Sequence, residues 1–100
     1  MKRDERIQQM ELRLNRATAA TQGLSAALDT YLAAQKDLAA LGRYYGSTTW
    51  KSDLKADEEG RLPAGLRRGV LSEDAVWNLL ADCRLLNDRL LHTASKLTKE

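Results

Sequence analysis

Nucleophilic or metal chemistry in this chain would have to use one thiol and one imidazole, Cys83 and His92. They lie nine residues apart within one helical pattern. That spacing puts them on different faces and about 13 Å apart along the axis, at ~1.5 Å per residue. The imidazole cannot act as a base on the thiol from there. A single cysteine forms no intramolecular disulfide, and a zinc site would need mostly carboxylates. Asp53, Asp57, Glu58 and Glu59 are the densest group of acids. A calcium loop wants oxygen ligands at its first, third and fifth positions before a glycine at the sixth. Counting back from Gly60, the first position is Lys55, and the pattern fails. We expect no catalytic residue, no metal site and no cofactor.

Two groups could instead bind a partner. Tyr44, Tyr45 and Trp50 gather in one short stretch, with Asp53 one helical step beyond. The aromatics are expected to form a small satellite core that closes the open end of two helices, or else a docking pocket, since aromatics and arginine are the common anchors of interfaces. Arg61, Arg67 and Arg68 flank a turn, and Lys2, Arg3, Arg6, Arg13 and Arg16 crowd the start of the chain. Guanidinium groups hold carboxylates or phosphates in a bidentate fork. Acidic residues interleave the N-terminal group, however, and Gly60, Gly65 and Gly69 lack the Lys-Ser or Lys-Thr of a phosphate loop. The candidate docking residues are therefore Tyr44, Tyr45, Trp50, Asp53, Arg67 and Arg68. Arg67 and Arg68 sit in a turn where packing does not account for both, and one is expected to pair with Asp53 or Asp57.

The elements that carry these residues follow from composition and periodicity. One hundred residues, 43% apolar and 30% charged, are enough for one modest domain and too structured in composition for a disordered chain. A net charge of +2 implies neither a nucleic-acid nor a membrane partner by itself. The N-terminus leads into no apolar run, so neither a secretory signal nor a membrane span is expected, and with a free thiol the expected location is the cytoplasm.

From residue 3 to 41, Ile7, Met10, Leu14, Ala17, Thr21, Leu24, Leu28, Tyr31, Gln35 and Leu38 recur at alternating steps of three and four. That is a heptad seam on one long helix. Its phase continues across Gly23, and Gly42 is its expected stop. Ser47 caps a short helix over 48–59, which Gly60 ends. Residues 60–71 form a turn-rich connection. Ser72, with Glu73 and Asp74 behind it, opens a last helix over 73–98 whose apolar face includes Val76, Leu79, Cys83, Leu86 and Leu90.

These elements predict an all-α fold, a single domain over 1–100. The long N-terminal and shorter C-terminal helices pack as an antiparallel hairpin, and the short helix caps the open end. Trp50, Leu66 and Val70 are expected in the core. The long helix exceeds its partner by about 13 residues, which leaves Ile7, Met10 and Leu14 uncovered. Such a seam marks an interface between copies, and a homodimer is expected.

The chain also resembles a known family. Glu5-Arg6-Ile7-x-x-Met10-Glu11 is followed by Leu41-x-x-Tyr44-Tyr45-x-Ser47-x-x-Trp50-x-x-Asp53. The third motif is Leu62-Pro63-x-x-Leu66-x-Arg68-Gly69-Val70-Leu71-Ser72-Glu73-Asp74. Together they are similar to a family of short bacterial proteins classed as a domain of unknown function. The resemblance implies a cytoplasmic bacterial protein and carries no activity with it. The function expected is a non-catalytic interaction or structural module that self-associates and binds a protein partner. The alternative is a nucleic-acid-associated regulator working through the arginines.

Overall fold

The computed structural model describes residues 2–99. The fold is all-α, with helices α1 (Arg3–Ala33), α2 (Gln35–Tyr44), α3 (Thr48–Glu58) and α4 (Ala75–Thr98), and a 3-10 turn at Gly69–Leu71 before α4. No strand occurs among the described residues. The chain divides into two compact units, Met1–Lys36 and Asp37–Glu100.

The first unit is essentially α1. Asp4 and Glu5 in its first turn favour the positive end of the helix dipole. Gly23 does not interrupt it. No residue in its 31 is buried, and Ile7, Met10, Leu14 and Leu24 are each more than half exposed. Only Leu28 and Tyr31 are half-buried on the seam within α1.

The expected single helix over 3–41 is two helices. Ala34 separates them with ψ −9°, well short of the helical value near ~−42°. The Ala34 N–H still reaches Thr30 O at 3.1 Å. At the next step the Gln35 side-chain amide donates to Tyr31 O at 3.0 Å. That carbonyl is the acceptor a continuous helix reserves for the Gln35 backbone N–H, and a side chain inserted there loosens the turn.

In the second unit, Gly42 is not the stop expected of it. The helix continues through Gly42 to Tyr44, and Gly46 at φ +79° ends it, a conformation that costs a glycine little. Ser47 then caps α3, its Oγ accepting the Trp50 N–H at 3.1 Å. The far end of α3 is a Schellman turn. Gly60, at φ +70°, donates to Asp57 O at 3.0 Å, and Arg61 donates to Ala56 O at 2.9 Å. Regular helix begins at Ala75 instead of Glu73, with Asp74 at the N-cap position, yet Ser72 Oγ accepts the Ala75 N–H at 3.1 Å and so satisfies a donor of the α4 start.

α2 and the start of α4 run antiparallel. A Cβ built on Gly42 would lie 4.0 Å from Leu80 Cδ1, while three residues on the Tyr45 hydroxyl reaches back to Glu73. The buried apolar core among the described residues is Trp50 of α3, Leu71 of the 3-10 turn and Val76 of α4. Leu66 and Val70, expected beside Trp50, are instead 50% and 40% exposed. They line open clefts, and it is the Val70 backbone that turns inward. On α4 the covered stripe is Val76, Leu80, Cys83 and Leu90, with Leu79 and Leu86 more exposed. Cys83, placed on the apolar face of the last helix, is half-buried.

Candidate docking surface

The aromatic stretch is built by two helix ends. Tyr44 closes α2, Tyr45 begins the turn, and Trp50 stands in the first turn of α3. The Tyr45 and Trp50 rings meet edge to face, with centroids 5.1 Å apart and planes at 64°. This arrangement suits the quadrupoles of both rings.

Each polar tip in the cluster is committed within the chain. The Tyr44 hydroxyl donates to Asp53 Oδ2 at 2.6 Å, tying α2 to α3. The Tyr45 hydroxyl donates to Glu73 O at 2.7 Å, tying the turn to the start of α4. The Trp50 indole N–H donates to Val70 O at 2.8 Å, tying α3 to the 3-10 turn. The bond to Asp53, followed by partial burial and the carboxylate's negative charge, raises the Tyr44 pKa above 10.0.

Arg68 is equally engaged. Its Nη1 donates to Asp57 Oδ1 at 2.5 Å, its Nη2 to Pro63 O at 2.6 Å, and its Nε to Leu66 O at 3.3 Å. One guanidinium thus holds the 60–68 loop in shape and fastens it to α3. Asp57, not Asp53, is the carboxylate in the expected loop-to-helix pair. Arg61 pairs with Glu59 at 2.7 Å on the surface.

Of the six docking candidates, Tyr44, Tyr45, Trp50, Asp53 and Arg68 are thereby drawn into one internal lattice. Arg67 stands apart, exposed. It lies where two open clefts adjoin. One, of about 410 Å³, is mostly apolar and includes Leu41, Val70, Val76 and Leu79. The other, of about 350 Å³, includes Tyr44, Leu62, Leu66 and Arg68. Leu41 and Leu79 were not among the expected site residues; Leu79 reads only as part of the α4 apolar face, and Leu41 lies one residue off the heptad seam. The Val70 and Glu73 carbonyls that bind the aromatics leave no trace in side-chain identity.

Among the described residues, no three His, Cys, Asp or Glu side chains gather as a metal site would require. No helix there is long and apolar enough to cross a membrane. Ile7, Met10 and Leu14, the candidate self-association residues, lie exposed along α1.

No curated protein and no solved structure matches this chain. A family model does match, over residues 7–93, a span that takes in the aromatic lattice, the arginine loop and the α1 seam alike. The chain therefore belongs to the family described as a domain of unknown function, DUF4298.

Proposed function

We propose that this chain is a non-catalytic, cytoplasmic protein-interaction module that self-associates through the N-terminal part of α1. One observation carries the reading: α1 is 31 residues long with no buried residue, yet it presents Ile7, Met10 and Leu14 on one heptad seam. An isolated helix in water is marginal, and most helical stability comes from packing an apolar face. A second copy supplies that face at no further demand on the sequence.

The internal lattice of aromatics supports the same direction. It leaves the loop surface with Arg67 as the docking group for a further protein partner, and moves the main apolar contact to α1. The nucleic-acid alternative has less support, because Arg61 and Arg68 are already paired with carboxylates.

Light scattering after size exclusion at micromolar concentration tests the reading. The expected species is a dimer, with Met10→Glu and Leu14→Glu each shifting it toward monomer. A clean 11.2 kDa monomer across the range would overturn it.

A further inference from the structure

We propose that two copies of α1 pair in parallel and in register, with Arg6 of each copy facing Glu11 of the other. The inference rests on the self-association reading above and adds its orientation. With Ile7 and Leu14 at the a positions of the heptad and Met10 at d, Arg6 and Arg13 fall at g, and Asp4 and Glu11 at e. In a parallel pair, each g side chain faces the e side chain five residues further along the other helix. Arg6 then meets Glu11, twice by symmetry, and Arg13 meets neutral Thr18.

An antiparallel pair sets g against g and e against e. Overlapping the N-terminal ends that way puts Arg6 opposite Arg13, and Asp4 opposite Glu11. Sliding the overlap so that Ile7 faces Leu24 removes the repulsion, but then the four charges face Ala27, Ala20, Ser25 and Thr18. That arrangement makes no ion pair. Only the parallel one converts these charges into attraction.

The charges are available for this role. Neither Arg6 nor Glu11 has an opposite charge three or four residues away on its own helix. Among the described residues, the chain's ion pairs are Arg61–Glu59 and Arg68–Asp57, both far along the sequence. Thr21, the polar residue on the exposed seam, has its hydroxyl bonded to Ala17 O at 2.8 Å, so burying it orphans no donor.

Two measurements test the orientation. In sedimentation equilibrium, Arg6→Glu and Glu11→Arg should each weaken the dimer by about 3- to 10-fold. The double variant, which restores the pair with reversed sign, should recover wild-type affinity. In a Cys83→Ala chain, Ile7→Cys should form a symmetric disulfide under mild oxidation. The antiparallel arrangement free of repulsion, with Ile7 facing Leu24, holds those two cysteines ~25 Å apart, at ~1.5 Å per residue, and forbids the bond. A dimer with neither rescue nor cross-link overturns the parallel orientation and leaves self-association standing. A monomer at every concentration overturns both.

Discussion

The Trp50 indole nitrogen and the Val70 carbonyl oxygen meet at 2.8 Å, joining α3 to the 3-10 turn across twenty residues of chain. Trp50 is buried while the Val70 side chain is 40% exposed. At Val70 the backbone is therefore engaged and the side chain is not. A loop rich in glycine and turn residues is fastened this way to a helix that Ser47 caps.

Trp50→Ala should cost about 3–5 kcal/mol, the usual range for emptying a buried aromatic site. Trp50→Phe keeps much of the ring packing and loses the bond. Water can replace the indole at a half-open carbonyl, so the cost of Phe should stay near ~1 kcal/mol above its packing loss. Urea unfolding separates the two. Equal midpoints for the Phe and Ala variants would mean that the bond, not the ring, holds the connection.

Arg67 and Arg68 should behave as opposites despite being neighbours. Arg68 binds Asp57 and two loop carbonyls, with about a third of its side chain exposed. Arg68→Ala should lower stability by about 1–2 kcal/mol after allowing for solvent screening. Arg67→Ala should stay within about 0.5 kcal/mol of wild type, as exposed substitutions do. Thermal melts of the single variants decide it, and coincident melting temperatures for the two would remove the structural role given to Arg68.

Both serine caps are open to the same test. Ser47 Oγ and Ser72 Oγ each accept a backbone N–H at 3.1 Å, from Trp50 and Ala75 respectively. Ser47→Ala and Ser72→Ala should each destabilise by about 1 kcal/mol, and replacement of either by Asp should recover most of it. An unchanged urea midpoint for an alanine variant would show that its helix start is held by something other than the hydroxyl.

What the sequence disclosed and what it hid divide along a physical line. Ser47 and Ser72 were legible because each cap is a bond between a side chain and a backbone group three residues away, and Gly60 because a positive φ at a helix end favours glycine. The heptad seam of α1 was legible because periodicity needs no partner to be seen. The break at Ala34 was not, since Gln35 sits in phase with the seam and its amide competes for a carbonyl that no pattern marks. The bonds made by Tyr45 and Trp50 were hidden for the same reason, although the burial of Trp50 was not. Their partners are the Glu73 and Val70 carbonyls, and every residue carries one. Arg68 read as a candidate for binding others because a motif shows the guanidinium but not the Pro63 and Leu66 oxygens that occupy it.

Two glycines of α2 and its turn should respond to alanine with opposite signs. Gly42 is inside a helix, and an added methyl would meet Leu80 at 4.0 Å, an ordinary contact. Gly42→Ala should stabilise by about 0.5–1 kcal/mol through helix propensity alone. Gly46 stands at φ +79°, where any Cβ is strained. Gly46→Ala should destabilise by about 1 kcal/mol or more. Denaturant midpoints moving in the same direction for both would contradict the helix end placed at Tyr44.

The Tyr44–Asp53 bond carries a pH dependence whose sign is fixed by its chemistry. The neutral phenol donates to Asp53 Oδ2 at 2.6 Å, and ionising it would both break the bond and set a phenolate against a carboxylate. The pKa of Tyr44 in the folded chain is accordingly raised above 10.0, with the bond to Asp53 the leading cause. A folded-state value above the unfolded one means the bond's contribution is complete below the unfolded value. It is lost as pH rises through the higher folded value. The bond therefore adds no slope to stability near neutrality and a falling slope in alkali. Tyr44→Phe should destabilise by about 1 kcal/mol at neutral pH, since the site is only half-buried. The difference between wild-type and Tyr44→Phe phenolate titrations, followed by ultraviolet absorbance, should show one group ionising above 10.0. Asp53→Asn keeps an acceptor and removes the charge, and should bring that group back toward its ordinary value. If the difference titration centres at or below 10.0 in the wild type, Tyr44 does not hold Asp53 in solution, and the tie between α2 and α3 is weaker than its geometry implies.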